Sequence, residues 1–200
     1  MAARLKTKEE FILTAALNAF MERGFASTNI QTIATNAGIA KGTIYEYYET
    51  KEELFIQSIK YRFNEGNLKI IQEVSQKQGF FEKLECVLDK IICGEEKGFY
   101  KWIDSFLFND FGNLDQVLRI RFKDCSDTMR ERVISVYRQI IIEGIKEKKI
   151  IVHDLEFAST CLFSLVTAYN SYIPEQDYDQ RVLEKTRLLD MILNGLRYRE

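Results

Sequence analysis

The sequence predicts an all-α protein, and three observations carry that prediction. Apolar residues recur three and four positions apart along most of the chain, strand-like alternation is absent, and Pro174 is the one proline among 200 residues. Glycines fall where helices at this spacing are expected to end or meet: Gly24, Gly38, Gly79, Gly98 and Gly112.

The helix starts are marked most clearly near the N-terminus. Thr7-Lys8-Glu9-Glu10 is a capping box, in which the Thr hydroxyl takes a free amide and Glu10 reaches back. Phe11, Ile12, Ala15, Ala16, Ala19 and Phe20 follow at helical spacing, and Gly24-Phe25 closes the helix. Thr28-x-x-Gln31 reads as a second capping box and Thr50-Lys51-Glu52-Glu53 as a third, opening a long helix. Beyond it, helices are expected at about 50–76, 80–95, 99–110, 114–148, 154–171 and 178–197, with Pro174 stopping the penultimate one.

Composition narrows the class. A hydrophobic content of 46% with 29% charged residues supplies one core or two small ones. The formal net charge of −2 argues against a purely electrostatic nucleic-acid binder but leaves a sequence-specific one open, because local charge decides docking. Over residues 1–51, six basic residues face five acidic ones, a local charge of +1. Cys86, Cys93, Cys125 and Cys161 form no CxxC pair and read as reduced, buried thiols. With His153 the one histidine, no metal site and no cofactor are expected. No secretory signal or membrane span is read, so the expected location is the cytoplasm.

The stretch from Thr28 to Lys51 organises the chain. Ile30, Ile33, Ala34 and Ala37 mark one face of a short helix, Gly38 turns the chain, and Ile44 and Tyr48 mark the inner face of a second helix. Lys41, Gly42, Thr43, Tyr45, Glu46 and Tyr47 are left outside, and they are small, donor-bearing or aromatic. This is the helix-turn-helix pattern, whose second helix enters the DNA major groove.

The spacing Phe11-Ile12-Leu13-x-x-Ala16-x-x-x-Phe20-x-x-x-Gly24-Phe25, then Ile33-Ala34-x-x-Ala37-Gly38-Ile39, then Lys41-Gly42-Thr43-Ile44-Tyr45-x-Tyr47-Tyr48-x-x-Lys51-Glu52-Glu53-Leu54, resembles the TetR family of bacterial transcriptional regulators. The resemblance covers about the first quarter of the chain. It implies a three-helix DNA-binding domain at 1–51 and a helical effector-binding and dimerisation domain at 52–200. It also implies a homodimeric repressor that a small molecule releases from an inverted-repeat operator.

The candidate DNA contacts are Thr28, Lys41, Gly42, Thr43, Tyr45, Tyr47 and Lys51. Thr28 and Lys51 lie at helix starts that suit a phosphate. Gly42 allows close approach of the backbone, and Lys41 and Thr43 suit phosphates or base edges. The tyrosines suit phosphates. Two departures from the family pattern stand out: Tyr48 replaces the usual Phe, so its hydroxyl needs a partner, and Ala40 replaces a frequent Ser or Thr. Glu46 is expected to face solvent or support a neighbour rather than read a base.

The remainder is less explicit. Phe63, Trp102, Phe106 and Phe122 are candidate pocket residues in an aromatic-rich region. Asp104 and Asp110 would suit a cationic ligand, whereas Arg119, Arg121 and Lys123 would suit an acidic one. Phe157, Cys161, Leu165, Leu189, Ile192 and Leu193 are candidate dimer-interface residues: the resemblance implies that the last two helices form the interface, the penultimate one is apolar on nearly all sides and needs outside cover, and the leucines and isoleucine of the final helix agree. An enzyme is not expected: no nucleophile accompanies His153, and no phosphate loop or dinucleotide fingerprint appears. An activator of the same fold and a helical protein-binding module are the competing readings.

Overall fold

In a computed structural model, the structure describes residues 7–94, 97–172 and 178–195. The helices are α1 (Lys8–Ser27), α2 (Ile30–Ala37), α3 (Lys41–Tyr47), α4 (Lys51–Ser75), α5 (Gly79–Leu88), α6 (Lys97–Asn109), α7 (Gln116–Lys146), α8 (Leu155–Tyr172) and α9 (Tyr178–Gly195). A π-helical turn, Asp89–Cys93, extends α5, and a 3-10 turn, Phe111–Asn113, follows α6. No strand occurs among the described residues, nor is any helix there long and apolar enough to cross a membrane. The expected stop at Pro174, together with Leu196 and Arg197 at the end of the last helix, lies outside the described residues.

The chain divides into two compact units: Met1–Glu65 with Leu114–Asp127, and Gly66–Asn113 with Thr128–Glu200. The first unit therefore extends past residue 51 to include much of α4 and the start of α7.

Local chemistry sets the boundaries in the first unit. The Thr7 hydroxyl accepts from the Glu10 amide at 3.2 Å, and the Glu10 carboxylate accepts from the Thr7 amide at 2.6 Å, a complete capping box. At α2 the cap is Asn29, not Thr28: its Oδ1 accepts from the Thr32 amide at 2.8 Å. Thr28 is the extended residue after α1, and its hydroxyl turns back to donate to the carbonyls of Gly24 (2.8 Å) and Ala19 (3.0 Å). Gly38 sits at φ 67°, where a Cβ would be strained, and its amide reaches the Ala34 and Thr35 carbonyls to close α2. The third box is half made, since the Thr50 hydroxyl caps the Glu53 amide while Glu53 turns to the Glu49 amide.

The core of this unit gathers Ile12, Ala16, Phe20, Ile33, Ile44, Leu54, Phe55 and Ile59, all fully buried. Each large apolar side chain so buried contributes roughly 1.5–3 kcal/mol. Phe55 packs edge-on to Phe20 at 5.0 Å and against Phe25 at 4.9 Å.

The second unit packs α5, α7, α8 and α9 around Phe80, Leu84, Leu88, Tyr137, Ile140, Val166, Leu188 and Ile192. Lys185 of α9 is buried, and its ammonium is held by Asp89 at 2.6 Å and Glu85 at 3.2 Å. Burial pulls the Lys185 pKa down, but the two carboxylates outweigh it and the group stays charged. Of the cysteines, Cys86 and Cys125 are buried as expected and Cys93 is half-buried. Cys161 is exposed, because no described residue covers its face of α8.

At Gly144 of α7 the side chains of Phe80 and Ile150 press against the helix backbone. A Cβ there would lie 2.6 Å from a Phe80 ring carbon and 3.0 Å from Ile150. Gly144→Ala is therefore expected to destabilise the chain by about 1–3 kcal/mol through overpacking, despite the better helix propensity of Ala. Urea unfolding would read this as a lower midpoint; an unchanged midpoint would mean the Phe80 ring moves aside freely.

Candidate nucleic-acid interface

Helix α3 has only seven residues, and one side of it is committed to the core. Ile44 is fully buried and Tyr48, just past its end, is 5% exposed. Lys41, Gly42, Tyr45, Glu46 and Tyr47 are exposed on the other side, with Thr43 half-buried at the edge. The period of the helix thus separates anchor from outward face as the sequence pattern implies. The Tyr48 hydroxyl finds its partner in Glu9, at 2.9 Å. Burial and that carboxylate push the phenol well above its ordinary pKa, so it remains a donor.

Gly42 has no packing reason to be glycine. An added Cβ would meet nothing within 4 Å. Glycine in a helix costs roughly 0.5–1 kcal/mol relative to alanine, and no contact among the described residues recovers that. The space in front of Gly42 is available to something outside. Beside it, the Lys41 ammonium lies 5.7 Å from the Tyr45 ring centroid, which keeps the charge in front of the helix. Ala40 caps α3 without a side-chain hydrogen bond, as its methyl group requires.

An open cleft of about 460 Å³ lies beside this face. Thr28, Lys41, Tyr45 and Lys51 line it together with Asn29, Ile30 and Gln31 at the start of α2. Its lining contains two lysines and no carboxylate, which suits a phosphate. Gly42, Thr43 and Tyr47 are not part of the lining. Asn29 and Gln31 line the cleft without having been among the expected contacts. Asn29 is legible as a cap, since Asn is as strong an N-cap as Ser and stronger than Thr, and Thr32 follows three residues later.

Two residues hold internal positions that helix-start spacing does not suggest. Thr28 is 2% exposed, and its hydroxyl proton is committed to the α1 carbonyls, so it is no free phosphate donor. The Lys51 ammonium donates to the carbonyls of Phe25 (2.9 Å), Thr28 (3.1 Å) and Ala26 (3.4 Å). It also lies 4.4 Å from the Phe25 ring centroid. Lys51 is thus a cap for the end of α1, while still bordering the cleft.

The candidate pocket residues are divided between units. Trp102 and Phe106 stack at 5.6 Å in the second unit, with Phe99 6.3 Å from Trp102. Phe63 and Phe122 are buried in the first, where Phe122 stacks on Phe55 at 6.3 Å.

Among the candidate interface residues, Phe157 is 68% exposed and Cys161 is exposed, whereas Leu165, Leu189 and Leu193 are half-buried. Ile192 is 3% exposed and belongs to the core of its own unit, in one cluster with Leu188, Val166 and Ile140. Phe157, Cys161 and Leu165 line an apolar groove of about 520 Å³ with Ile151 and Met191.

Residues 12–57 match the profile of "Bacterial regulatory proteins, tetR family". The fatty acid metabolism regulator protein of Bacillus subtilis is 24% identical over 195 residues, covering 92% of this chain and 93% of the relative. The transcriptional regulator QacR of Staphylococcus aureus is 23% identical over 195 residues, covering 92% and 96%. The crystal structure of Bacillus subtilis FadR in complex with stearoyl-CoA aligns with a TM-score of 0.73 at 22% identity, over 94% of this chain and 98% of that one. FadR from Bacillus halodurans aligns at 0.74 and 21%, over 98% and 100%. These likenesses in structure speak for the fold, and the relatives are regulators rather than enzymes. With a helix-turn-helix whose outward face is solvent-exposed and a matching family profile over residues 12–57, this part of the chain carries the DNA-binding motif of the TetR family of bacterial transcriptional regulators.

Proposed function

We propose that this protein is a cytoplasmic repressor that binds an inverted-repeat operator as a homodimer and is released by a small-molecule effector. The observation that carries the DNA reading is Gly42: a helix position that favours alanine, held open on the exposed face of α3. A DNA backbone or groove edge fills that space. Lys41, Thr43, Tyr45 and Tyr47 then reach phosphates and base edges around it, and the cleft flanked by Lys41 and Lys51 takes a phosphate. Thr28 supports that cleft from behind.

A local charge of +1 gives little non-specific affinity, so two copies must act together. The exposed groove at Phe157, Cys161 and Leu165 supplies a self-complementary face for the second copy. Dimers of this kind read half-sites about 34–36 Å apart, or a multiple of that. For the effector, the full-length resemblance to a fatty acid metabolism regulator and the fold shared with a stearoyl-CoA complex favour a long-chain acyl thioester. Trp102 and Phe106 offer an apolar wall for it.

Operator selection followed by fluorescence anisotropy tests the whole reading; recovery of sites without two-fold symmetry would refute the dimeric mode. Gly42→Ala is expected to leave the melting temperature equal or higher while weakening operator binding at least about tenfold, or 1.4 kcal/mol. Retained affinity would mean that nothing approaches α3 there. Lys51→Ala should lower stability by about 1 kcal/mol, from the lost cap, and reduce the slope of log affinity against log salt by about one. Lost stability with an unchanged slope would leave Lys51 a purely internal clamp. Phe157→Asp should give a monomer in sedimentation, with operator affinity down by about 10²-fold or more; a dimer that persists would move the interface elsewhere.

A further inference from the structure

Two buried residues of the second unit each carry a polar atom that its own packing does not satisfy. Tyr137 of α7 has no exposed surface, yet its hydroxyl has no hydrogen-bond partner among the described residues. Asn67 of α4 is 7% exposed, and its Nδ2 has none there either. An unpaired buried donor destabilises a fold, and replacing it by an apolar side chain of similar shape is the obvious remedy. Phenylalanine at 137 would fill the same space. That both groups remain polar points to an acceptor supplied from outside the chain.

Their surroundings define what that acceptor is. Tyr137 sits in a cluster with Ile70, Val74, Leu84, Leu88, Ile140 and Val166, and the buried ammonium of this unit, Lys185, is already held by Glu85 and Asp89. Asn67 lies one helical turn before Ile70 on α4. Burial, with a smaller contribution from Tyr100 of α6, pushes the Tyr137 phenol well above its ordinary pKa, so it is a donor at any physiological pH. The free atom of Asn67 is likewise a donor. Two neutral donors in apolar walls suit a neutral acceptor oxygen. A carboxylate brought here would lose its water and gain no cation. The aromatic side chains of Phe99, Trp102 and Phe106 on α6, stacked in sequence beyond Tyr100, suit an apolar ligand body.

We infer that Tyr137 and Asn67 are the polar readers of the effector site and donate hydrogen bonds to a neutral carbonyl-type oxygen carried on an apolar chain. This deepens the reading of the second unit as the effector-binding part and rests on it. Specificity follows from the same physics: a ligand lacking the oxygen leaves both donors unpaired and binds more weakly.

The test uses the full-length chain and two probes that differ only in that oxygen, palmitoyl-CoA and its thioether analogue S-hexadecyl-CoA. The chain should bind palmitoyl-CoA at least about tenfold more tightly, by calorimetry and by release of operator DNA. Tyr137→Phe should abolish that preference while raising the melting temperature of the unliganded protein by about 2–4 °C, since an unpaired hydroxyl is removed. Asn67→Leu should reduce the preference without unfolding the chain. A preference left intact in Tyr137→Phe, or a lower melting temperature in that variant, would assign the hydroxyl a structural role and overturn the inference. Equal binding of both probes to the unaltered chain would also overturn it while leaving the effector reading standing. Failure of either probe to bind the unaltered chain would reject the acyl-effector reading itself, and the inference with it.

Discussion

A seven-residue helix in water does not hold its shape alone, because nucleation costs more than so few hydrogen bonds return. Helix α3 is that short, and its outward face is exposed. Everything that keeps it in place therefore works through one side. Ile44 inserts into the core, Tyr48 anchors the exit of the helix through its phenol to Glu9 of α1, and Gly38 turns the chain directly into α3. Lys51 then ties the start of α4 to the carbonyls that end α1. Helices α1, α2 and α4 act as a frame for a helix that contributes little stability of its own.

The same economy governs charge. A strongly basic surface would bind any DNA and blur the operator, whereas this unit presents a cleft flanked by two lysines and an outward helix face that also carries Glu46. In the proposed mode of action, specific contacts, close approach at Gly42 and a second copy of the chain supply what bulk charge does not. The second copy so proposed would seat on the exposed apolar groove of α8. A groove lined by Phe157, Cys161 and Leu165 is a liability on a monomer and a natural seam in a dimer.

The second unit distributes its polar groups in two different ways. Lys185 is buried but satisfied by Asp89 and Glu85, which joins α9 to the π-helical end of α5. Tyr137 and Asn67 are buried and unsatisfied among the described residues. The first arrangement is what a fold needs to fix the packing of its helices; the second is what a fold tolerates where a ligand completes it.

Capping residues, glycine positions and the three-to-four spacing of apolar residues are local signals, so the amino-acid order alone places the helix boundaries to within a few residues. The same periodicity separates the inner face of α3, at Ile44 and Tyr48, from its outer face at Lys41, Gly42, Tyr45 and Tyr47. Other features depend on which distant groups meet, and these follow from tertiary packing. No local rule shows that Thr28 turns back onto α1 and leaves the α2 cap to Asn29, or that the Lys51 ammonium spends its hydrogen bonds on residues 25–28. Nor does helical spacing show that Ile192 faces its own core while Phe157 faces outward. Amphipathic spacing states that a face is apolar; only packing states what, if anything, covers it.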